Sequence, residues 1–436
     1  MSYEKKLSKE KILIISHNSL SSTANNGKTL HSIFDCFPSD AIAQLYFQTE
    51  IPDSYKFNLF FRITDLDIIK NFFKLNFDFG GKTYNLNSNE PRDVYGKHST
   101  IIRHFKKLSS IKNLIREFIY SLKIYDGERL NVWIDDFKPT AIFVLGGESR
   151  FLFDIALKLS IKKNIPLHIF FTDDYIFNTR TSRFNVLNKL FFNKVKESVL
   201  NAKSCFCISD KMAVKYKSEF SRDFYILNNA VDFNSNRLTK VSLQDSQIKF
   251  IYAGGLTLGR DRALVDLCKL IGSVGLMDDS FDFQIIICSA NCLSLDLMTE
   301  LKSIVGVNII VNGFMSAKEM KGVYNTAHFL LHVESAIPKY KSKTYLSIST
   351  KISECLSSKR CLLAFGPPEL ASMELISTNH VGLFLNSSSS DSVNKQLIYD
   401  VVSSQETYCF FVNSGYKYAK EHFSKDVLQN TLLTHL

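Results

Sequence analysis

Short apolar runs closed by Gly, Pro, Asn, Asp or Ser recur along this chain, and between them lie stretches whose apolar residues return every three or four positions. The short runs predict buried strands and the periodic stretches predict helices. In the first half the strands are Lys11 to Ile15, Ala41 to Phe47, Asn58 to Ile63, Thr140 to Leu145, Leu167 to Phe171, Cys205 to Ile208 and Phe224 to Leu227. Helices are expected through Leu30, Ile33, Phe34 and Phe37, from Ile101 to Leu122, from Phe184 to Leu200 and from Met212 to Phe220. Between Lys74 and Ser99, Gly, Asn, Ser and Pro predict a long irregular segment. The second half repeats the alternation: strands at Ile248 to Ala253, Phe283 to Cys288, Val307 to Val311, Phe329 to Val333, Cys361 to Phe365 and Val381 to Leu385. Helices run through Leu264, Leu267 and Leu270, from Thr350 to Ser358 and from Gln405 to His435. Alternation of this kind predicts an α/β protein with parallel sheets covered on both faces.

A chain of 436 residues is too long for one ordinary core and suits two domains. The polar stretch from Asn228 to Gln247 marks the boundary, giving an N-terminal Rossmann-like domain over 1–235, a C-terminal one over 236–404 and a helical segment over 405–436. Hydrophobic residues at 45% and charged residues at 22% exclude disorder and a membrane bundle. The only apolar stretch near the N-terminus, Ile12 to Ile15, is too short for a signal peptide, so the cytoplasm is the expected location. The nine cysteines lack zinc-ligand spacing and read as reduced thiols.

The net charge of +10 favours an anionic partner, and nucleic acid, anionic lipid and nucleotide sugars all qualify. Much of it is local: 97–123 carries seven Lys or Arg and one acid, Glu117, a balance of 7 − 1 = +6. Its basic residues interleave with core-spaced apolar ones, which fits either a solvated helix face or peripheral docking on an anionic membrane.

The densest candidate chemistry lies between Phe329 and Pro368. Ser349 is placed to cap the helix from Thr350, whose Ile352, Cys355 and Leu356 face a core while Lys351 and Glu354 share another face. The free amides at Ser349 and Thr350, with the Lys351 charge, suit a phosphate. Glu354, a pure acceptor when ionised, suits a polyol such as ribose, and a Lys351–Glu354 surface ion pair is the plain alternative.

STKISECLSSKRCLLAFGP resembles the nucleotide-binding segment of retaining GT-B glycosyltransferases, in particular the family 4 group of bacterial capsule, O-antigen and exopolysaccharide enzymes. The resemblance implies two Rossmann-like domains facing each other across a cleft, with a nucleotide sugar on the C-terminal one, a glycan or lipid-linked acceptor on the N-terminal one and the last helical segment crossing back. It places Lys351 at the diphosphate and Glu354 at the ribose. The family's second acid, eight positions before this Glu, is missing: Leu346 stands there, and Glu334 is the nearest acid upstream. Glu334 is the candidate at the donor sugar.

Other strand ends supply further candidates. Gly254, Gly255 and Arg260 follow the strand ending at Ala253 and suit diphosphate oxygens, though the dinucleotide fingerprint lacks its third glycine. In the first half, the loop after Ile15 ends at Gly27 and Lys28, which are expected beside donor phosphates or acceptor, without P-loop spacing. Gly146, Gly147 and Glu148 close one strand, and Asp173 and Asp174 close another; either Asp suits an acceptor hydroxyl or an N-cap. His168 lies inside the apolar run and reads as a core residue. Asp65 and Asp67 form a DxD triplet that suits a divalent metal or, at Asp65, a helix N-cap.

The resulting expectation is a hexosyltransferase-like enzyme that uses a UDP- or GDP-linked sugar and needs neither cofactor nor metal. The alternatives are a metal-dependent GT-A-like transferase using Asp65 and Asp67, and a non-enzymatic basic protein binding nucleic acid or anionic membrane.

Overall fold

The computed structural model describes residues 10–21, 25–54, 56–65, 67–68, 82–85, 116–120, 127–177, 185–231, 233 and 241–436. The basic N-terminal tail, most of 74–99 and most of the basic stretch 97–123 lie outside these residues. The chain divides into two compact units, the first running to Cys207 and including Ala213–Leu227 and Gln429–Leu436, the second comprising Ile208–Met212 and Asn228–Leu428.

The first unit carries β1 (Ile12–Ser16), α1 (Asn25–Phe34), β2 (Ile42–Tyr46), β3 (Leu59–Arg62), β4 (Lys82–Asn85), α2 (Glu128–Phe137), β5 (Ala141–Leu145), α3 (Arg150–Lys163), β6 (Leu167–Phe171), α4 (Asn185–Asn201), β7 (Ser204–Cys207), α5 (Asp210–Phe220) and β8 (Phe224–Ile226). The strands lie in the order β4-β3-β2-β1-β5-β6-β7-β8. All pairs are parallel except β3 with β4. Every residue of β1, β2, β5 and β6 is buried, the result expected of largely apolar runs covered on both faces. The segment expected to be irregular therefore contains a strand. β4 is a four-residue antiparallel edge, and its KTYN sequence has no apolar run to announce it.

The second unit carries β9 (Ile248–Ala253), α6 (Arg260–Gly275), β10 (Phe283–Cys288), α7 (Leu295–Lys302), β11 (Asn308–Asn312), α8 (Ala317–Thr326), β12 (Phe329–Val333), α9 (Pro338–Thr344), α10 (Thr350–Ser357), β13 (Cys361–Gly366), α11 (Ala371–Thr378), β14 (Leu383–Asn386), α12 (Asp391–Val402) and α13 (Gln405–His422), and α14 (Lys425–His435) begins in it and continues into the first unit from Gln429. Its sheet, β11-β10-β9-β12-β13-β14, is parallel throughout. The expected final helix is two helices, α13 and α14, separated at Phe423 and Ser424. The stretch after Glu334 contains α9, which starts on a proline at its first turn, where the missing N–H costs nothing.

Sheet order fixes where ligands can bind. In the second unit, β9 leads to β10 on one side while β12 leads to β13 on the other, so the connections diverge between adjacent β9 and β12. In the first unit the same divergence falls between β1 and β5. A crevice opens at the carboxyl ends of such strand pairs.

Candidate functional site

The crevice of the second unit is a cavity of about 190 Å³ whose lining includes Tyr252, Gly254, Gly255, Arg260, His332, Ser349, Thr350 and Lys351. Four chain segments thus converge: the end of β9, the start of α6, the end of β12 and the first turn of α10. Of the residues expected at a nucleotide diphosphate, Gly255, Arg260, Ser349, Thr350 and Lys351 line the cavity. Its volume is below the ~300–1,000 Å³ of sites that enclose a whole small molecule, and matches a diphosphate end better than an entire nucleotide.

Lys351 reaches across to β9. A Cβ added to Gly254 would stand 2.8 Å from its Nζ and 3.0 Å from the Tyr252 hydroxyl, so any larger residue there crowds the ammonium. Ser349 has the extended backbone of an N-cap, but its side chain makes no capping bond. The serine caps by position only, and the first-turn amides of α10 are not satisfied by its hydroxyl. Glu354 lies one turn along α10, outside the cavity lining. Its charge adds to a larger effect of burial in holding the phenol of Tyr324, a lining residue, well above its ordinary pKa.

Arg260 is committed differently from the sequence expectation. Its guanidinium donates to Glu334 from Nη2 at 2.7 Å and from Nε at 3.3 Å. Glu334 is 3% exposed; burial pushes its carboxyl pKa up and Arg260 pulls it back. A forked, charge-assisted pair of this kind holds a carboxylate in one orientation. Gly259 makes the approach possible: it precedes α6 with φ of 72°, and a Cβ there would come within 2.6 Å of Ser335 Oγ. His332, on β12 with Glu334 just beyond the strand end, is held neutral, its pKa lowered to about 3 by burial and by the charges of Arg260 and Lys351.

The crevice of the first unit is larger, about 700 Å³. Gly146, Gly147 and Glu148 line it, together with His17, Asn18, Arg116, Arg150 and Tyr175. His17 and Arg116 were missed in the sequence. The available signal for His17 is its position directly after an apolar strand. Its imidazole packs edge-on to Phe151, and burial with the Arg116 charge lowers its pKa to about 3.

The other first-half candidates are not among the residues that line this crevice. Gly27 and Lys28 do not line this cavity. Helix α1 starts at Asn25, so both sit in its first turn, and Gly27 is buried where a Cβ would lie 2.1 Å from the Ser19 carbonyl oxygen. The glycine permits close packing of helix on loop. Asp174 makes the N-cap-like contacts: Oδ1 accepts from the N–H groups of Ile176 and Phe177 and from the Tyr216 hydroxyl. Asp173, half-buried, accepts from the Tyr175 hydroxyl. Thr64, not Asp65, occupies the capping position, through reciprocal bonds in which Asp67 Oδ2 accepts from Thr64 N–H and Thr64 Oγ1 accepts from Asp67 N–H. Asp65 accepts from Arg116 and from the Tyr120 hydroxyl. The DxD carboxylates therefore hold protein partners. His168 is fully buried with Nδ1 2.7 Å from Ser204 Oγ, a core residue as read.

No protein-family model and no curated protein sequence matches the chain. Solved structures do. The N-terminal domain of Candida albicans trehalose-6-phosphate phosphatase aligns with 98% of this chain and 97% of its own, at 10% identity and a TM-score of 0.60. An E. coli structure described as trehalose-6-phosphate bound with UDP-2-fluoro glucose aligns over 98% of each chain, at 8% identity and a TM-score of 0.58. WaaG, described as a glycosyltransferase involved in lipopolysaccharide biosynthesis, covers 96% of this chain and 98% of its own, at 9% identity and a TM-score of 0.55. With its two parallel-sheet Rossmann-like units and these structural neighbours, the chain has the GT-B fold.

Proposed function

We propose that the chain is a glycosyltransferase, moving a sugar from a UDP- or GDP-linked donor to a glycan or lipid-linked glycan acceptor in the synthesis of a bacterial surface polysaccharide. The observation that carries this reading is Lys351 in the first turn of α10, facing Gly254 across the crevice of the second unit. The likeness to WaaG and to a structure holding UDP-2-fluoro glucose supports it. The second unit takes the donor and the first unit the acceptor.

The chemistry asked of the site is departure of a nucleoside diphosphate. The bond from the anomeric carbon to the diphosphate oxygen breaks with its electron pair going to that oxygen. The acceptor oxygen bonds to the same carbon and gives its proton to the departing diphosphate oxygen. Negative charge grows on the leaving group, where Lys351 and the α10 amides stand ready. A unit charge pair at about 4 Å is worth about 4 kcal/mol at an effective dielectric near 20, before desolvation. The reading therefore assigns the leaving group to protein charge rather than to a metal, and takes transfer to be retaining.

Thermal melting with UDP, GDP, CMP and ADP and their common sugar conjugates, each with and without chelator, tests this directly. One nucleotide class is expected to raise the melting temperature whether or not chelator is present. Ligand at about a hundred times its dissociation constant adds roughly 2.7 kcal/mol. A response only when divalent metal is supplied would favour metal-dependent transfer. No response to any nucleotide, with salt-sensitive binding of oligonucleotides or anionic vesicles, would favour the binding-protein reading.

A further inference from the structure

The outer edge of the second unit's sheet is unprotected. β11 pairs with β10 on one side and, being outermost, has no strand on the other among the described residues. A row of its backbone N–H and C=O groups therefore faces outward, ready to pair with a further strand. Sheet edges ordinarily block such pairing with a charge or a proline. Between Lys302 and Lys318 this chain has neither. None of the five residues of β11 is buried, and Ile310 and Val311 are 38% and 37% exposed. Val305, shortly before the strand, is 65% exposed and Phe314, shortly after it, 81% exposed.

The sequence of the strand selects the partner. Asn308-Ile309-Ile310-Val311-Asn312 reads almost the same in both directions. When two copies lie antiparallel about a two-fold axis at Ile310, Asn308 faces the partner's Asn312, Ile309 faces the partner's Val311, and Ile310 faces the partner's Ile310. Amide meets amide and β-branched chain meets β-branched chain at every level. A two-fold contact requires this, because the same patch serves both copies. Strand alternation puts Asn308, Ile310 and Asn312 on one face of the sheet and Ile309 and Val311 on the other, so both faces match at once. A slip of one residue sets Asn308 against Val311 and loses the match. In the matched register each Phe314 comes to the end of the strand pair where the partner's Val305 lies, so the two most exposed apolar side chains of this stretch cover each other.

We infer that β11 is a self-association edge, through which two copies of this chain pair antiparallel about Ile310 and join their second-unit sheets into one. Each copy uses its single β11 edge, so the assembly closes at a dimer. The contact is short, five residues a side with Val305 and Phe314 at its ends. It is expected to be reversible, with a dissociation constant of about 1–100 µM.

Sedimentation equilibrium of the full chain from about 1 to 300 µM, a range spanning that constant, tests it in wild type, Ile310→Lys, Ile310→Glu and an equimolar mixture of these two variants. Wild type is expected to pass from monomer to dimer and stop there. Either variant alone should dimerise about 10- to 100-fold more weakly, since the axis sets the new charge against its own copy. The mixture should bind about tenfold tighter than either variant alone, because the introduced lysine then faces the introduced glutamate. Only a contact centred on residue 310 brings those two together. Melting curves establish that the variants are folded. Phe314→Ser, outside the strand, is a further variant that should weaken the dimer about tenfold and melt as wild type does. A wild type that stays monomeric throughout, or that grows past the dimer, overturns the inference. So do charged variants that dimerise as wild type does, a mixture no tighter than its components, or a Phe314→Ser dimer of unchanged affinity.

Discussion

Replacing Arg260 by Leu is expected to cost about 3–5 kcal/mol of stability at neutral pH, the penalty of leaving a buried charge without its partner. The carboxylate is the reason. Glu334 is 3% exposed, whereas the Arg260 side chain is 22% exposed and can be rehydrated when freed. Burial already raises the Glu334 pKa and Arg260 opposes that rise, so removing the guanidinium raises it further. The sign of the pH dependence follows. A carboxyl whose folded pKa is raised stabilises the fold below its unfolded pKa, near 4.5, and loses that contribution as pH rises through the folded value. The deficit of Arg260→Leu relative to wild type should therefore be largest at neutral pH and shrink as pH falls towards about 5. Urea unfolding across that range measures it. Replacing both partners with Leu should recover most of the loss, since an apolar pair leaves no stranded charge. A single variant as stable as wild type at every pH, yet poor at binding nucleotide, would make Arg260 a diphosphate ligand after all.

The contrast between Arg260 and Lys351 shows what the sequence makes legible. Short apolar runs such as Leu167–Phe171 and Phe329–Val333, each interrupted by a single histidine, announce buried parallel strands, and strand ends announce crevices, because both signals are local. The place of Lys351 was legible for the same reason, in the first turn of a helix with apolar residues at Ile352, Cys355 and Leu356. The partner of Arg260 was not legible, since Glu334 lies 74 positions away and no periodicity joins them. The influence of the Arg116 charge on His17 comes from equally far along the chain. Short elements also escaped. PKYKSKT in α9 has no apolar face to count, and KTYN in β4 is an edge strand. At Asp65 the type of residue was right for a cap and the position was one off, because Thr64 offers a hydroxyl to the same turn and Arg116 draws Asp65 away. Gly27 was read as letting backbone approach a ligand, and the close approach it permits within the fold is to the Ser19 carbonyl.

Lys351→Ala should separate binding from folding in the opposite direction. Lys351 is half-buried and lies on the helix face away from the core residues Ile352, Cys355 and Leu356. Alanine is a good helix former, so stability should stay within about 0.5 kcal/mol of wild type. Nucleotide affinity should fall about 10- to 100-fold, the worth of one charge-assisted contact to a phosphate at roughly 1.5–3 kcal/mol. Binding should not vanish, because the α10 amides still present a positive end to the crevice. Salt is a second readout: raising ionic strength should weaken wild-type binding more than variant binding, since one cation has been removed from the exchange. Lys351→Arg, which retains the charge but needs more room beside Gly254, should restore part of the affinity. If Lys351→Ala binds every nucleotide as tightly as wild type, the ammonium serves the surface of α10 alone, and the donor must be sought in the larger crevice of the first unit.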